Sequence, residues 1–314
     1  MRQHKKRAIS AALVLYLALS LLYIVAASTQ GSCAVIFDLQ GGTGNDTTND
    51  QLAAHGGKVN KPAIDPAKEG FALVGWYTEP EYKNEWNFGD NTYPQGIEVL
   101  ILYAKWAPAL ERENHITYLN GYPDGSMKPG GNVSRAEVAA IFFRLVIADD
   151  RDIPLLVVAT DVNNTDWFYQ EVAYLEKYGI IKGYPDSTFR PGGLITRAEF
   201  AAIASRFDKL EANAPDAFPD VADTHWAAGY INNAVAKGWV SGIGIFRPND
   251  YITREEVAVF VNRMLGRGIE LADIPADVNT YTDLKPDRWS YSDIIEASTE
   301  HEYIRKANGY EIWI

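Results

Sequence analysis

The sequence predicts a multidomain protein: a small, mostly β unit followed by an α-rich region of repeated helix–loop–helix units. Three observations predict it. Residues 34–106 hold short apolar runs separated by Gly/Asn/Asp loops, without internal repetition. Beyond residue 117 a four-residue box recurs three times, as Ser134-Arg135-Ala136-Glu137, Thr196-Arg197-Ala198-Glu199 and Thr253-Arg254-Glu255-Glu256. An Asp six residues before a Trp also recurs, as Asp161/Trp167, Asp220/Trp226 and Asp283/Trp289. A length of 314 residues suits about two domains, and 47% hydrophobic residues excludes a largely disordered chain.

Residues 1–27 read as an export signal. Arg2, Lys5, Lys6 and Arg7 precede an apolar run, and Val25-Ala26-Ala27 supplies the small residues of a cleavage site near Ala27. The alternative is an uncleaved membrane anchor, the only membrane contact the sequence offers. The net charge of −12 argues against nucleic acid as a partner. A single cysteine, Cys33, excludes an internal disulfide framework and a Cys-based zinc cluster.

In the β unit, residues 34–107, strands are expected at Val35-Ile36-Phe37, Phe71–Tyr77 and Val99–Trp106, with a loop over Gln40–Asp50. Its Trp76, Trp86 and Trp106 are expected in the core. Phe37-Asp38-Leu39-Gln40-Gly41-Gly42, Gly57-Lys58-Val59, Gly75-Trp76-Tyr77, Trp86-Asn87-Phe88 and Leu102-Tyr103-Ala104-Lys105-Trp106 together resemble the internalin B-type (Listeria–Bacteroides) repeat. The resemblance implies a compact β-grasp-like module displayed on a bacterial surface, with protein contact and no chemistry.

A linker, 108–116, leads to the repeats, 117–314. The boxes stand 62 and 57 residues apart, and each is followed by apolar residues at +4, +7, +8 and +11: Val138, Ile141, Phe142, Leu145; Phe200, Ile203, Ala204, Phe207; Val257, Phe260, Val261, Met264. That spacing is one face of a helix. The first box has no Asp/Trp half before it and the last half has no box after it. Three whole units therefore require the helix near Trp289 to complete the first box, closing a ring; the alternative is a stacked open solenoid, which would leave the terminal units half-built.

Ser/Thr-x-x-Glu is a capping box, which makes Ser134/Glu137, Thr196/Glu199 and Thr253/Glu256 helix starts. Capping leaves the arginine unexplained. Arg135, Arg197 and Arg254 stand at the helix end where the dipole disfavours a cation by up to about 1 kcal/mol. Each invites an anion, met also by the helix amides and by a loop cation, Lys128, Arg190 or Arg247. The anion is either an external ligand or an internal carboxylate such as Asp161, Asp220 or Asp283.

Phe218-Pro219-Asp220-Val221 with Trp226, Gly183-Tyr184-Pro185-Asp186 with Phe189-Arg190-Pro191, and Ile195-Thr196-Arg197-Ala198-Glu199 resemble surface-layer homology (SLH) domains, in three tandem units. The resemblance implies a pseudo-threefold assembly around a central helical bundle. Its grooves bind secondary cell-wall polysaccharide through a pyruvate ketal, which supplies the carboxylate. It carries Arg135, Arg197 and Arg254 into the grooves, with Asp161, Asp220 and Asp283 lining them. Glu255 replaces the Ala of the second box, and Ser241-Gly242-Ile243-Gly244-Ile245-Phe246 lacks the Tyr-Pro-Asp turn of Tyr122-Pro123-Asp124 and Tyr184-Pro185-Asp186. The third groove is therefore expected to be weak or silent, and loss of Arg135 with Arg197 to abolish wall binding. Trp167, Trp226 and Trp289 are expected in the bundle core.

Other chemistries are not indicated. The Asp/Gly loops lack the alternating ligands of a calcium loop. His301-Glu302-Tyr303-Ile304-Arg305 starts like a zinc-protease helix but has Arg305 where the second His belongs. No nucleophile elbow or phosphate loop occurs, so no enzyme, cofactor or metal is expected. The sequence reads as an exported surface protein whose SLH region anchors it to pyruvylated cell-wall polysaccharide. The alternative is an adhesin that contacts another surface protein through residues 34–107, with the SLH region as scaffold.

Overall fold

The computed structural model describes residues 33–44, 50–148, 157, 159–211, 214–278 and 280–314. The expected export signal lies outside them. No helix among the described residues is long and apolar enough to cross a membrane. The chain divides into two compact units, an N-terminal one ending at Trp106 and a C-terminal one over 107–314 that also takes up residues 70–72.

The N-terminal unit is a four-stranded sheet of β1 (Cys33–Asp38), β2 (Gln51–Ala53), β3 (Phe71–Tyr77) and β4 (Val99–Pro108), in the order β2-β1-β4-β3. β1 pairs antiparallel with β2 and parallel with β4, from Ala34↔Val99 to Asp38↔Tyr103. β4 alternates buried and half-buried residues, the signature of a strand with one face on the core. Trp76, Trp86 and Trp106 are 3%, 6% and 6% exposed, the core positions expected of them. Trp106 Nε1 donates to the Leu39 carbonyl at 2.8 Å, and a Cβ at Gly42 would stand 2.5 Å from the Trp106 ring. The Gly-Gly of that loop is thus dictated by close approach to an aromatic ring. The short strand β2 was not expected from the sequence.

Among its described residues the C-terminal unit holds six α-helices: α1 (Arg135–Leu145), α2 (Tyr169–Lys177), α3 (Arg197–Ser205), α4 (Ala228–Ala236), α5 (Arg254–Leu265) and α6 (Tyr291–Ser298). A hairpin of β5 (Tyr303–Arg305) and β6 (Glu311–Trp313) ends it. Helices pack in sequential pairs, α1 with α2, α3 with α4 and α5 with α6. Phe200 joins the box helices, its ring centroid 5.7 Å from Phe142 and 5.2 Å from Phe260.

The helix starts are tied together in a cycle. Isolated bridges join Ser134 to Leu194, Thr196 to Tyr251 and Asn132 to Thr253. The first two amides of each box helix are taken by a loop of another repeat: Arg135 and Ala136 by the carbonyls of Gly193 and Pro191, Arg197 and Ala198 by Asp250 and Pro248, Arg254 and Glu255 by Gly131 and Pro129. The two ends of the repeat region meet too. Asp283 accepts from the Met127 and Lys128 amides, and Ala297 O from those of Tyr118 and Leu119. The segment around Trp289 therefore reaches the first repeat through Asp283 and Ala297, while its helix α6 lies against α5.

Candidate functional site

Each box begins its helix with a complete capping box. Ser134, Thr196 and Thr253 accept from the amides of Glu137, Glu199 and Glu256, whose carboxylates return to the cap amides at 2.8, 2.8 and 3.0 Å. With the first two helical amides bonded to loop carbonyls, the helix starts are already satisfied. The expectation that these amides converge on an external anion is corrected accordingly. What stays available is the arginine itself.

Each arginine reaches into the loop of another repeat. Arg135 donates through Nε to Phe189 O at 2.8 Å and through Nη2 to Lys182 O at 2.7 Å, its guanidinium over the rings of Tyr184 and Phe189. Arg254 repeats this on the first loop, with Nε to Met127 O at 2.7 Å, Nη2 to Asn120 O at 2.6 Å and the Tyr122 ring beneath. Arg197 donates to Phe246 O at 2.6 Å in the third loop, where no tyrosine stands. Its Nη1 turns instead to Glu256 Oε1 at 2.5 Å.

The three clefts therefore pair the first arginine with the second loop, the second with the third, and the third with the first. The Tyr-less loop belongs with Arg197, so Arg254 sits in a complete cleft. Glu255 does not compromise it: Arg288 holds Glu255 bidentately at 2.7 and 2.9 Å and Ser290 adds a bond at 2.7 Å. Burial works to raise the Glu255 pKa, but these partners bring it below its ordinary value.

Arg135 and Arg254 are 7% and 4% exposed, and among the described residues no carboxylate lies within 4 Å of either guanidinium. A nearly buried charge held only by carbonyl dipoles and an aromatic face is incompletely compensated. Arg197 differs, having Glu256 as its counter-ion. Desolvation depresses the Arg197 pKa, and Glu256 works against that shift.

Asp161, Asp220 and Asp283 are occupied by the loops. Their two oxygens accept the amides of Phe189 and Arg190, of Phe246 and Arg247, and of Met127 and Lys128, at 2.7–2.8 Å. The second residue of each pair is the loop cation, held in the left-handed region at φ 59°, 59° and 51°. This conformation is costly for a residue with a side chain and is kept only where the surroundings enforce it. Lys128 Nζ and the Arg190 guanidinium lie 4.0 Å over Tyr122 and Tyr184, whereas Arg247 joins Arg197 on Glu256 at 2.8 Å. Asp124 and Asp186 brace these turns by accepting from the backbone and hydroxyl of Ser126 and Thr188.

Trp167, Trp226 and Trp289 are 61%, 58% and 63% exposed, which corrects the expectation that they fill the bundle core. Each stands in the turn two residues ahead of its helix, so the apolar helix face is built without it. Trp289 lines a cleft of about 230 Å³ together with Arg197, Trp239, Phe246 and Glu256. Sequence reading missed Trp289 and the tyrosines as surface features of these clefts. Their signal was present: three large aromatics at a fixed distance from a loop-binding Asp.

Comparison with known proteins agrees with this repeat structure. The S-layer homology domain matches residues 118–139, 160–201 and 217–258, and the Listeria–Bacteroides repeat domain matches 34–105. A cellulosome-anchoring protein of Acetivibrio thermocellus is 35% identical over 210 residues, 64% of this chain and 46% of that protein. S-layer protein EA1 of Bacillus anthracis is 31% identical over 162 residues, 48% of this chain and 18% of that protein. An endoglucanase of a Bacillus species is 32% identical over 126 residues, 40% of this chain and 13% of the enzyme. The chain thus spans less than half the length of each of these relatives.

Proposed function

We propose, from the S-layer homology segments and the Listeria–Bacteroides repeat that the chain matches, that it is an exported protein whose C-terminal region anchors it non-covalently to an anionic polymer of the cell wall. The observation that carries the reading is the pair of nearly buried arginines, Arg135 and Arg254, without a carboxylate partner. A ligand carboxylate entering beside either would meet the guanidinium, the strained loop cation and a tyrosine face. That is the chemistry of a charge-assisted, bidentate anion site. A pyruvate ketal on a wall polysaccharide supplies such a carboxylate on a sugar ring, and the exposed tryptophans offer flat apolar faces to neighbouring rings. The cyclic hand-over of helix amides supports reading the region as a closed pseudo-threefold assembly with three related clefts. The cleft of Arg197 is the weak one, because an incoming carboxylate must displace Glu256. The N-terminal β unit is the displayed part and chooses any protein partner.

The test is co-sedimentation of the full chain with purified cell walls, before and after removal of the non-peptidoglycan polysaccharide. Binding lost with the polysaccharide supports the proposal. Binding retained on bare peptidoglycan, or none at all, overturns it.

A further inference from the structure

Away from the clefts, four side chains from three segments of the C-terminal unit converge. His115 lies in the segment entering the unit, Glu296 on α6, His301 just before β5 and Glu311 at the start of β6. His115 Nδ1 stands 2.9 Å from Glu296 Oε1, 2.9 Å from His301 Nε2 and 3.4 Å from Glu311 Oε2. His301 Nε2 is 3.4 Å from Glu296 Oε1. All four ligand atoms lie within 4.8 Å of one another, and the side chains are 0–5% exposed.

The protons do not suffice for this cluster. His301 Nδ1 faces the Thr299 carbonyl at 3.0 Å, which fixes its proton there and leaves Nε2 as a lone pair. His115 Nδ1 can carry one proton for three acceptors. Among the described residues, Glu296 Oε1 and both oxygens of Glu311 find no hydrogen bond, although Arg305 Nη2 approaches Glu311 Oε1 at 3.0 Å. Lone pairs converging in a buried place, two of them from carboxylates, are the donor set that a cation at their centre would satisfy.

We propose that His115, Glu296, His301 and Glu311 form a structural site for a Zn²⁺-class transition-metal ion. Zinc bonds of roughly 2.0–2.2 Å in a tetrahedron space the ligand atoms by about 3.3–3.6 Å, a spacing inside the range of the separations here, which run from 2.9 Å to at most 4.8 Å. Two imidazoles with two carboxylates neutralise a dication and fill four positions, leaving none open for substrate. Calcium and magnesium prefer oxygen sets and do not suit this pair of histidines. The outer shell is in place as well. Trp313 Nε1 donates to Glu296 Oε2 at 3.3 Å and its ring stacks on His301 at 3.8 Å, while Tyr303 stacks on His115 at 4.1 Å. With Nδ1 on the metal, His115 Nε2 carries the proton and is the one ring nitrogen of this cluster without a partner among the described residues. The ion would fasten the terminal hairpin and α6 to a segment 186 residues earlier in the chain, where His301 N already bonds His115 O.

The full chain is stripped with a chelator and titrated with Zn²⁺, with melting followed in parallel, and Co²⁺ serves as a spectroscopic substitute. The expected result is one zinc per chain, a raised melting temperature and an intense tetrahedral Co²⁺ spectrum without a thiolate band, since Cys33 takes no part. Glu311→Gln and His301→Gln are expected to remove this uptake. Trp313→Phe, which keeps the stack and loses only the indole donor, is expected to weaken it about 10-fold. If either ligand variant fails to fold, the Co²⁺ spectrum of the unaltered chain and the Trp313→Phe affinity decide. Zinc uptake no greater than in the ligand variants, a weak octahedral Co²⁺ spectrum, or melting indifferent to zinc overturns the proposal.

Discussion

Glu256 holds Arg197 at 2.5 Å with one carboxylate oxygen while its other oxygen closes the capping box on the Thr253 amide at 3.0 Å. The same residue is thus helix cap and internal counter-ion. Its equivalents do not do both: Glu137 and Glu199 cap their helices, and among the described residues neither makes an ion pair with Arg254 or Arg135. The difference follows from the loop. Where Tyr122 or Tyr184 lies under the guanidinium, the arginine meets no carboxylate; where the loop reads Ile243-Gly244-Ile245, Arg197 keeps only the Phe246 ring, 4.9 Å away, and pairs with the glutamate.

Glu256→Gln tests this directly. Glutamine keeps an acceptor for the cap amide and removes the negative charge that faces Arg197. Stability is expected to fall by about 1.5–3 kcal/mol, the scale of a hydrogen bond to a charged group, measured by urea unfolding. Wall binding is expected to rise, because the third cleft then presents an uncompensated arginine. A variant that binds less than the unaltered chain would show that Glu256 supports the cleft rather than blocking it.

Arg135→Ala and Arg254→Ala together are expected to abolish co-sedimentation with walls, and Arg197→Ala to reduce it little. This ranking differs from the sequence expectation, which paired Arg135 with Arg197. Arg→Lys at 135 and 254 separates charge from geometry: lysine keeps the cation but cannot reproduce the fork donating to Phe189 O and Lys182 O or to Met127 O and Asn120 O. Partial binding by the lysine pair, with unchanged helical circular dichroism, is the expected outcome.

The local parts of this architecture were legible in the sequence and the tertiary hand-overs were not. A capping box is completed within four residues, and the alternation of β4 within ten, so both can be read from adjacent positions. Which loop receives Arg197 depends on the ring closing through Phe246 and Asp220, and nothing near Arg197 announces it. Trp167 was misread because a large apolar residue near a helix reads as core, yet α2 starts only at Tyr169 and buries Val172 and Leu175 instead. His115 and His301 stand 186 residues apart, so their meeting is a property of the closed chain.

Acid should loosen the loops in a way that Asp220 reports. Burial acts to raise its pKa, but the amides of Phe246 and Arg247 bring it below the ordinary value of 3.8. A carboxylate depressed in the folded state contributes stability that is fully present above its unfolded pKa and is lost as pH falls through the folded one. Asp220→Asn is therefore expected to lower the melting temperature at neutral pH, with the gap from the unaltered chain narrowing below about pH 4. A gap that stays constant down to pH 2 would mean that shape, not charge, holds Arg247 at its positive φ.

The two classes of tryptophan should separate stability from binding. Trp76 packs edge-on against Phe37 at 4.9 Å, and Trp76→Ala is expected to cost about 3–5 kcal/mol, the range for emptying an aromatic core site. Trp289→Ala removes a ring that is 63% exposed and should leave unfolding within about 0.5 kcal/mol of the unaltered chain. Its effect belongs to the ligand: a ring at the mouth of the Arg197 cleft that gives flat contact to a sugar loses that contact without altering the fold. Replacing Trp167, Trp226 and Trp289 together is expected to reduce wall binding at least tenfold while melting barely moves. Melting that drops with binding would return these residues to a structural role.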